Sequence, residues 1–288
     1  MNTAKVAIMM IGLVALFMAV GFLIGGQTGM IIAFVIATGM NFFTYWFSDK
    51  MVLRMYRARQ IEEKDHPRLY RIVRRVITRA SMPMPRVFVV PSKAPNAFAT
   101  GRNAENSAVA ATEGLLEMLT DDELEGVIGH EVAHIRNRDM LIGTIAATLA
   151  GAIGIIASIA RWGAIFGGYS RENDRGGLIG LLAVAIVAPL AAMIIQMAIS
   201  RQREYKADAI GASLTGKHHG LASALRKLHN APVRMNLDEK PATAHLMIAN
   251  PLSGRGMASL FSTHPPVEKR IARLQELATQ QVYQPYAR

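Results

Sequence analysis

The chain has 288 residues, 51% of them hydrophobic and 18% charged, with no cysteine and a formal net charge of +11. The lack of cysteine excludes disulfides and thiolate metal sites, so any metal must be held by His, Asp or Glu. The apolar residues are gathered into long runs, which argues against a soluble protein, and the basic excess beside those runs suits anionic lipid headgroups better than nucleic acid.

Val6 to about Gly25 is free of charge and long enough to cross a bilayer. Lys5 before it also fits a signal peptide, but the run is long for that role and a second one follows almost at once. The connection Gly25-Gly26-Gln27-Thr28-Gly29 is short. The second run, Met30 to about Phe47, ends in Tyr45, Trp46 and Phe47, aromatics suited to a membrane–water interface. The two runs read as a transmembrane hairpin over residues 1–48. Cations crowd the segment after it, from Lys50 and Arg54 to Arg75 and Arg79, which places that side, and with it the N-terminus, in the cytoplasm.

Leu69, Ile72, Val73, Val76 and Ile77 recur at helical spacing and predict an amphipathic helix, stopped by Met82-Pro83-Met84-Pro85. Arg86–Val90 and Ser107–Ala111 read as strands and Asn96–Gly101 as a short extended segment, together a compact sheet to whose exposed edge an extended peptide could add by backbone pairing. An ordinary loop is the alternative for residues 96–101.

Thr120 followed by Glu123 reads as a capping box, and Leu124, Val127, Ile128, Val132 and Ile135 give the next helix an apolar side. That helix carries His130-Glu131-Val132-Ala133-His134, of the form H-E-x-x-H. Residues four apart share a helix face, so His130 and His134 can offer two imidazole nitrogens to one metal ion. Glu131 is offset from them, placed to act as a base on a metal-activated water. The residues predict one zinc ion per chain, bound by His130, His134 and a third ligand, with an open position for water. A chance match with two structural histidines is the alternative.

The helix should end near Asn137-Arg138-Asp139, closing a stretch, 49–139, that holds half of the site. Two more apolar runs follow, Met140 to about Ala160 and Leu178 to about Ile199, the latter with Pro189 inside it, separated by a Gly-rich loop over 163–177. They make residues 140–200 a second transmembrane pair. A pair of crossings returns the chain to the face of His130 and His134. Ser200-Arg201-Gln202-Arg203-Glu204-Tyr205-Lys206-Ala207-Asp208 then supplies Glu204 as the candidate third ligand. Asp208, one turn on, is placed to accept the second ring N–H of a ligand histidine.

H-E-x-x-H, two apolar runs and S-R-x-R-E-x-x-A-D together resemble the HtpX-type membrane zinc metalloproteases, relatives of the CAAX prenyl endoproteases. Asn96–Gly101 and Thr263-His264-Pro265-Pro266, with Arg270 after them, resemble the same family. The resemblance implies four transmembrane helices and a cytoplasmic α+β, zincin-like domain in a mainly α protein. It also implies a peptidase of the bacterial inner membrane, with both termini cytoplasmic, that serves stress response and quality control by clearing misfolded or damaged membrane proteins.

Residues 201–288 complete the cytoplasmic part. Leu221, Ala224, Leu225 and Leu228 mark a helix, and Pro265 and Pro266 open another with Ile271 and Leu274 on one face. His218, His219, His229 and His245 have no ligand spacing and read as surface or capping residues. His264 is either a helix cap or, like Asn96, a group lining the substrate cleft. Two other readings stay open. In one the zinc lies inside the bilayer, against which the charges around the H-E-x-x-H helix argue. In the other the zinc is structural in a membrane scaffold, against which the spare carboxylate of Glu131 argues. The loops at 163–177 and 231–242 are candidate points of self-cleavage.

Overall fold

The computed structural model describes residues 2–139, 142, 201–231 and 265–283. The two later apolar runs, the loop 163–177, nearly all of 231–242, His245 and His264 lie outside the described residues. The chain divides into two units, Met1–Thr44 with Ile142–Ile199 and Tyr45–Leu141 with Ser200–Arg288.

Helix α1 (Asn2–Met55), whose residues up to Thr44 belong to the first unit, is broken at Gly25 (φ −136°) and Gly26 (φ 58°, ψ −144°). Gly26 takes a conformation that costs a residue with a Cβ, and the chain reverses there. The Asn41 amide donates to the Met10 carbonyl at 3.0 Å, so the two limbs lie together. Gly21 and Gly29 make their close approach possible: a Cβ on Gly21 would stand 2.4 Å from the Gly29 oxygen. The expected five-residue connection is thus tighter than its sequence suggested, with Gly29 already helical. Residues Gly25–Met55 are long and apolar enough to cross a membrane, and Met10–Ala19 is a shorter apolar stretch. Ile8, Ile11, Ile31, Phe34 and Val35 face outward.

The second unit is built on a four-stranded mixed sheet of order β1-β2-β4-β3, where β1 is Arg59–Gln60, β2 Arg86–Val90, β3 Ala97–Gly101 and β4 Ser107–Thr112. β2 and β4 are parallel. Among the described residues β3 pairs antiparallel with β4 alone and forms one edge of the sheet. Side chains alternate across it. Val87, Ala97, Ala99, Val109 and Ala111 enter the main core, while Phe88, Val90, Phe98, Ala108 and Ala110 pack with Leu53, Val52 and Tyr56 from the end of α1.

Helix α2 (Pro67–Ala80) buries the five residues its periodicity predicted. His66 caps it by accepting from Leu69 N–H, and Ser81 closes it in the left-handed conformation. The short α3 (Glu113–Met118) is capped by Thr112. Helix α4 (Asp121–Asn137) starts at the capping box formed by Thr120 and Glu123. It is buried from Glu123 to Ile135, including Glu125, whose carboxylate takes one 2.6 Å bond each from Arg75 and Arg79 of α2. Residues 201–215 form α5, followed by α6 (His218–His229) and α7 (Val267–Tyr283).

Backbone contact sets the distance between α4 and α5. A Cβ on Gly211 would stand 2.5 Å from His130 N, and one on Gly129 would stand 2.8 Å from the Gly211 oxygen. Without side chains at those two positions, α5 comes close enough for its carboxylates to reach the α4 histidines. One histidine departs from its expected place. His218 is buried, because α6 begins against α4 rather than at the surface, and burial lowers its pKa.

Candidate metal centre

His130 and His134 stand one turn apart on α4, with ring centroids 4.6 Å apart and planes nearly perpendicular. Their Nε2 atoms face each other at 3.1 Å. Glu204 of α5 completes a triangle, with Oε2 3.4 Å from His130 Nε2 and Oε1 3.4 Å from His134 Nε2. All three side chains are buried, and they form a group whose ligand atoms lie within 4.8 Å of one another. Metal–ligand bonds of about 2.0–2.1 Å in a tetrahedron put ligand atoms about 3.3 Å apart. The observed separations fit that figure.

The remaining ring nitrogens explain the tautomers. His130 Nδ1 lies 2.9 Å from Asp208 Oδ1, and His134 Nδ1 lies 3.1 Å from Asp139 Oδ2. A carboxylate beside each Nδ1 holds the proton there, which turns both Nε2 lone pairs toward one point. At 3.1 Å the two Nε2 atoms need a proton or a metal ion between them. The electrostatics agree. Burial opposes a charged ring at both histidines, yet Asp208 and Glu204 raise the pKa of His130. Asp139 and Glu204 likewise overcome burial at His134 and raise it to about 10. The donor set therefore fits a zinc ion.

Asp139 reaches His134 because Arg138 ends α4 in the left-handed conformation (φ 56°) and folds the chain back. The sequence had marked Asp139 only as the end of the helix. Its position just past that end, five residues after the second histidine, was the available signal.

Glu131 is buried, and burial raises its pKa. Its Oε2 accepts from the Ala99 N–H of β3 at 2.8 Å. The small side chains of Ala97, Ala99 and Ala111 let the helix lie close enough for this bond. Ala99 N–H therefore points away from β4, and the alternation of the antiparallel ladder turns the backbone of Ala97 and Gly101 to the same free edge. Thr100, Gly101, Arg102, Asn103, His134, Ile135 and Arg138 line a shallow cleft there. Asn96 is buried at the start of β3, its N–H bonded to Thr112 Oγ1 at 2.8 Å.

The group that sequence spacing could not place is Arg270 of α7. It is fully buried. Its Nε and Nη2 grip both oxygens of Asp208 at 2.8 and 2.7 Å. Nη1 stands 3.3 Å from Glu204 Oε2, and Nη2 is 3.4 Å from His130 Nδ1. Burial would raise the Asp208 pKa, but Arg270 and His130 hold it below the usual carboxylate range. The same guanidinium thus orders the carboxylate behind one histidine and the carboxylate of the third ligand.

Residues 63–278 match the profile of Peptidase family M48. The chain is 54% identical over 275 residues to a protein named Protease HtpX homolog from Desulforapulum autotrophicum, covering 95% of this chain and 89% of that one. A protein of the same name from Pyrococcus furiosus is also 54% identical over 275 residues, covering 95% of both. Among solved structures, S. mikatae Ste24p shares the fold, with a TM-score of 0.54 at 19% identity. That match covers 91% of this chain and 61% of the longer Ste24p chain.

Proposed function

The chain belongs to peptidase family M48, a family of zinc metalloproteases, and on that premise we propose that it cuts misfolded or damaged membrane proteins on the cytoplasmic side of a bacterial inner membrane. The carrying observation is the convergence of His130, His134 and Glu204, with Glu131 held between that point and an edge strand. In this reading residues 1–48 and 140–200 span the membrane, and 49–139 with 201–288 form the catalytic part. The division of the chain near residues 44, 142 and 199 supports those boundaries.

A zinc ion held by His130, His134 and Glu204 supplies Lewis acidity toward a scissile carbonyl and brings the pKa of water down towards about 7. The Ala99 N–H holds Glu131 Oε2, which leaves Oε1 to take the proton of the attacking water. Burial raises the pKa of this carboxylate, which makes it the stronger base. Glu131 then returns the proton to the leaving amine as the C–N bond breaks. Backbone groups of Ala97 and Gly101 align an extended substrate along the free edge. Asp139, Asp208 and Arg270 keep the ligands in place without touching the reacting atoms. Asn96 lies at one end of the edge, in reach of the substrate backbone.

The test is metal content and casein digestion by detergent-purified wild type and Glu131→Gln. About one zinc per chain in both, with digestion by wild type alone, is expected. Digestion by Glu131→Gln at the wild-type rate would refute the role of Glu131. Self-cleavage follows from the same reading: fragments that appear on zinc addition should be absent in Glu131→Gln.

A further inference from the structure

β3 and the last turns of α1 run side by side, and two contacts fix their relation. Phe98 of β3 packs against Tyr56, the residue that directly follows α1, with ring centroids 5.2 Å apart. Further along the same hairpin, the Arg102 guanidinium lies 4.3 Å from the centre of the Trp46 ring. Tyr56 back to Trp46 is roughly ten residues of helix, a rise of about 15 Å. Phe98 to Arg102 is roughly four extended residues, about 13 Å. The near equality of those spans requires that β3 run alongside α1, antiparallel to it. Leu53 packs beneath the same sheet face, and Arg86 of β2 donates to Asp49 of α1 at 2.6 Å, so the strand is seated on the helix rather than tethered to it.

On the membrane-spanning reading of α1, Trp46 lies where the helix leaves the hydrocarbon. It is 42% exposed, among the exposed Phe42, Phe43, Phe47 and Met51. Lys50, Arg54 and Arg57 are exposed beyond it. Aromatics followed by cations is the order of a helix passing through the headgroups into water. On that reading Arg102, stacked on Trp46, sits at headgroup level, and β3 runs down towards it. The shallow cleft beside Gly101, Arg102 and His134 lies at that lower end.

We propose that the site is threaded from the bilayer: its substrate is the extended segment of a membrane protein that directly follows a span, and the cut falls in the first few residues outside. This rests on the peptidase reading above. Ala99, whose N–H holds Glu131, lies roughly three strand residues, about 10 Å, from Arg102. A substrate chain paired along β3 covers that distance in the same number of residues. The strand thus sets the cutting position by height above the membrane, and the sequence at the cut matters less.

The experiment uses zinc-loaded wild type in phosphatidylethanolamine–phosphatidylglycerol vesicles. The substrate is a single transmembrane segment followed by an unstructured linker and a soluble tail. Flexible Gly-Ser insertions of roughly three to twelve residues are placed directly after the span, and cut sites are read by mass spectrometry. The cut is expected to stay about three to six residues beyond the span in every version, so that it moves through the sequence as residues are inserted. A cut that travels with its own sequence overturns the inference. So does an uncut membrane substrate under conditions where casein in detergent is digested, and both outcomes leave the peptidase reading intact. Failure to digest either substrate removes that reading and this inference with it.

Discussion

Arg270→Met keeps much of the side-chain volume and removes the charge. Three carboxylate oxygens lose their cation: both of Asp208, at 2.8 and 2.7 Å, and Glu204 Oε2 at 3.3 Å. No solvent reaches the guanidinium, so water does not replace it without rearrangement. Removing one partner of a buried pair costs about 3–5 kcal/mol, mostly through the charge left behind. A zinc ion offsets part of that excess negative charge. The loss should therefore be larger in chelator than with zinc, and the gap between the two unfolding temperatures should widen in the variant. Arg270→Lys should recover part of the loss, since an ammonium supplies the charge but not the two-pronged grip. Combining Arg270→Met with Asp208→Asn should cost less than the sum of the two, because the second change removes the stranded charge. The assay is thermal unfolding of the detergent-solubilised chain with zinc and with chelator. A cost for Arg270→Met below about 1 kcal/mol in chelator, or strictly additive effects, would refute the electrostatic argument.

Ala99→Pro removes the N–H that holds Glu131 while breaking no β3–β4 ladder bond, since that N–H faces the free edge. It should lower kcat by about tenfold or more with zinc content unchanged, and an unaltered kcat would show that Glu131 needs no such support. Asp139→Asn removes the charge behind His134 and should weaken zinc binding about 10–100-fold in competition with a chromogenic chelator. Glu123 links the start of α4 to Lys227 and Ser223. Burial pushes its pKa up, but Lys227, the Thr120 N–H and Ser223 together hold it below the usual 4.5. A depressed carboxylate contributes stability above its unfolded pKa and loses it as pH falls through the folded value. Wild type should therefore lose stability below about pH 4.5 more steeply than Glu123→Gln, and parallel acid titrations of the two proteins would contradict this.

Legibility followed the range of the signal. α4 could be read because its cap, its apolar side and its two histidines all lie within one helix. α2 was legible from its helical periodicity, and the strands at Arg86–Val90 and Ser107–Thr112 from short apolar runs. The extended segment Asn96–Gly101 proved to be a strand, and the sheet order, which local sequence does not give, puts it at an edge. The two-residue β1 and the six-residue α3 are too short for periodicity to show. Asp139 needed a left-handed arginine that propensity disfavours. His218 looked like a surface residue because its burial depends on the packing of α6 against another helix. Glu204 was legible because the H-E-x-x-H motif demands a third ligand. The grip of Arg270 on Asp208 was not, because it joins residues 62 positions apart.

That long separation gives the site a history as well as a geometry. During synthesis His130, Glu131 and His134 emerge first, and Glu204 and Asp208 follow. Until α7 has been made and has docked, the two later carboxylates face each other and Glu131 with no guanidinium between them. Glu204 and Asp208, a turn apart on α5, then repel each other with no cation to offset it, and nothing yet orders the carboxylate behind His130. Completion of the site is thus tied to α7: the cation that orders its carboxylates comes from the last described helix.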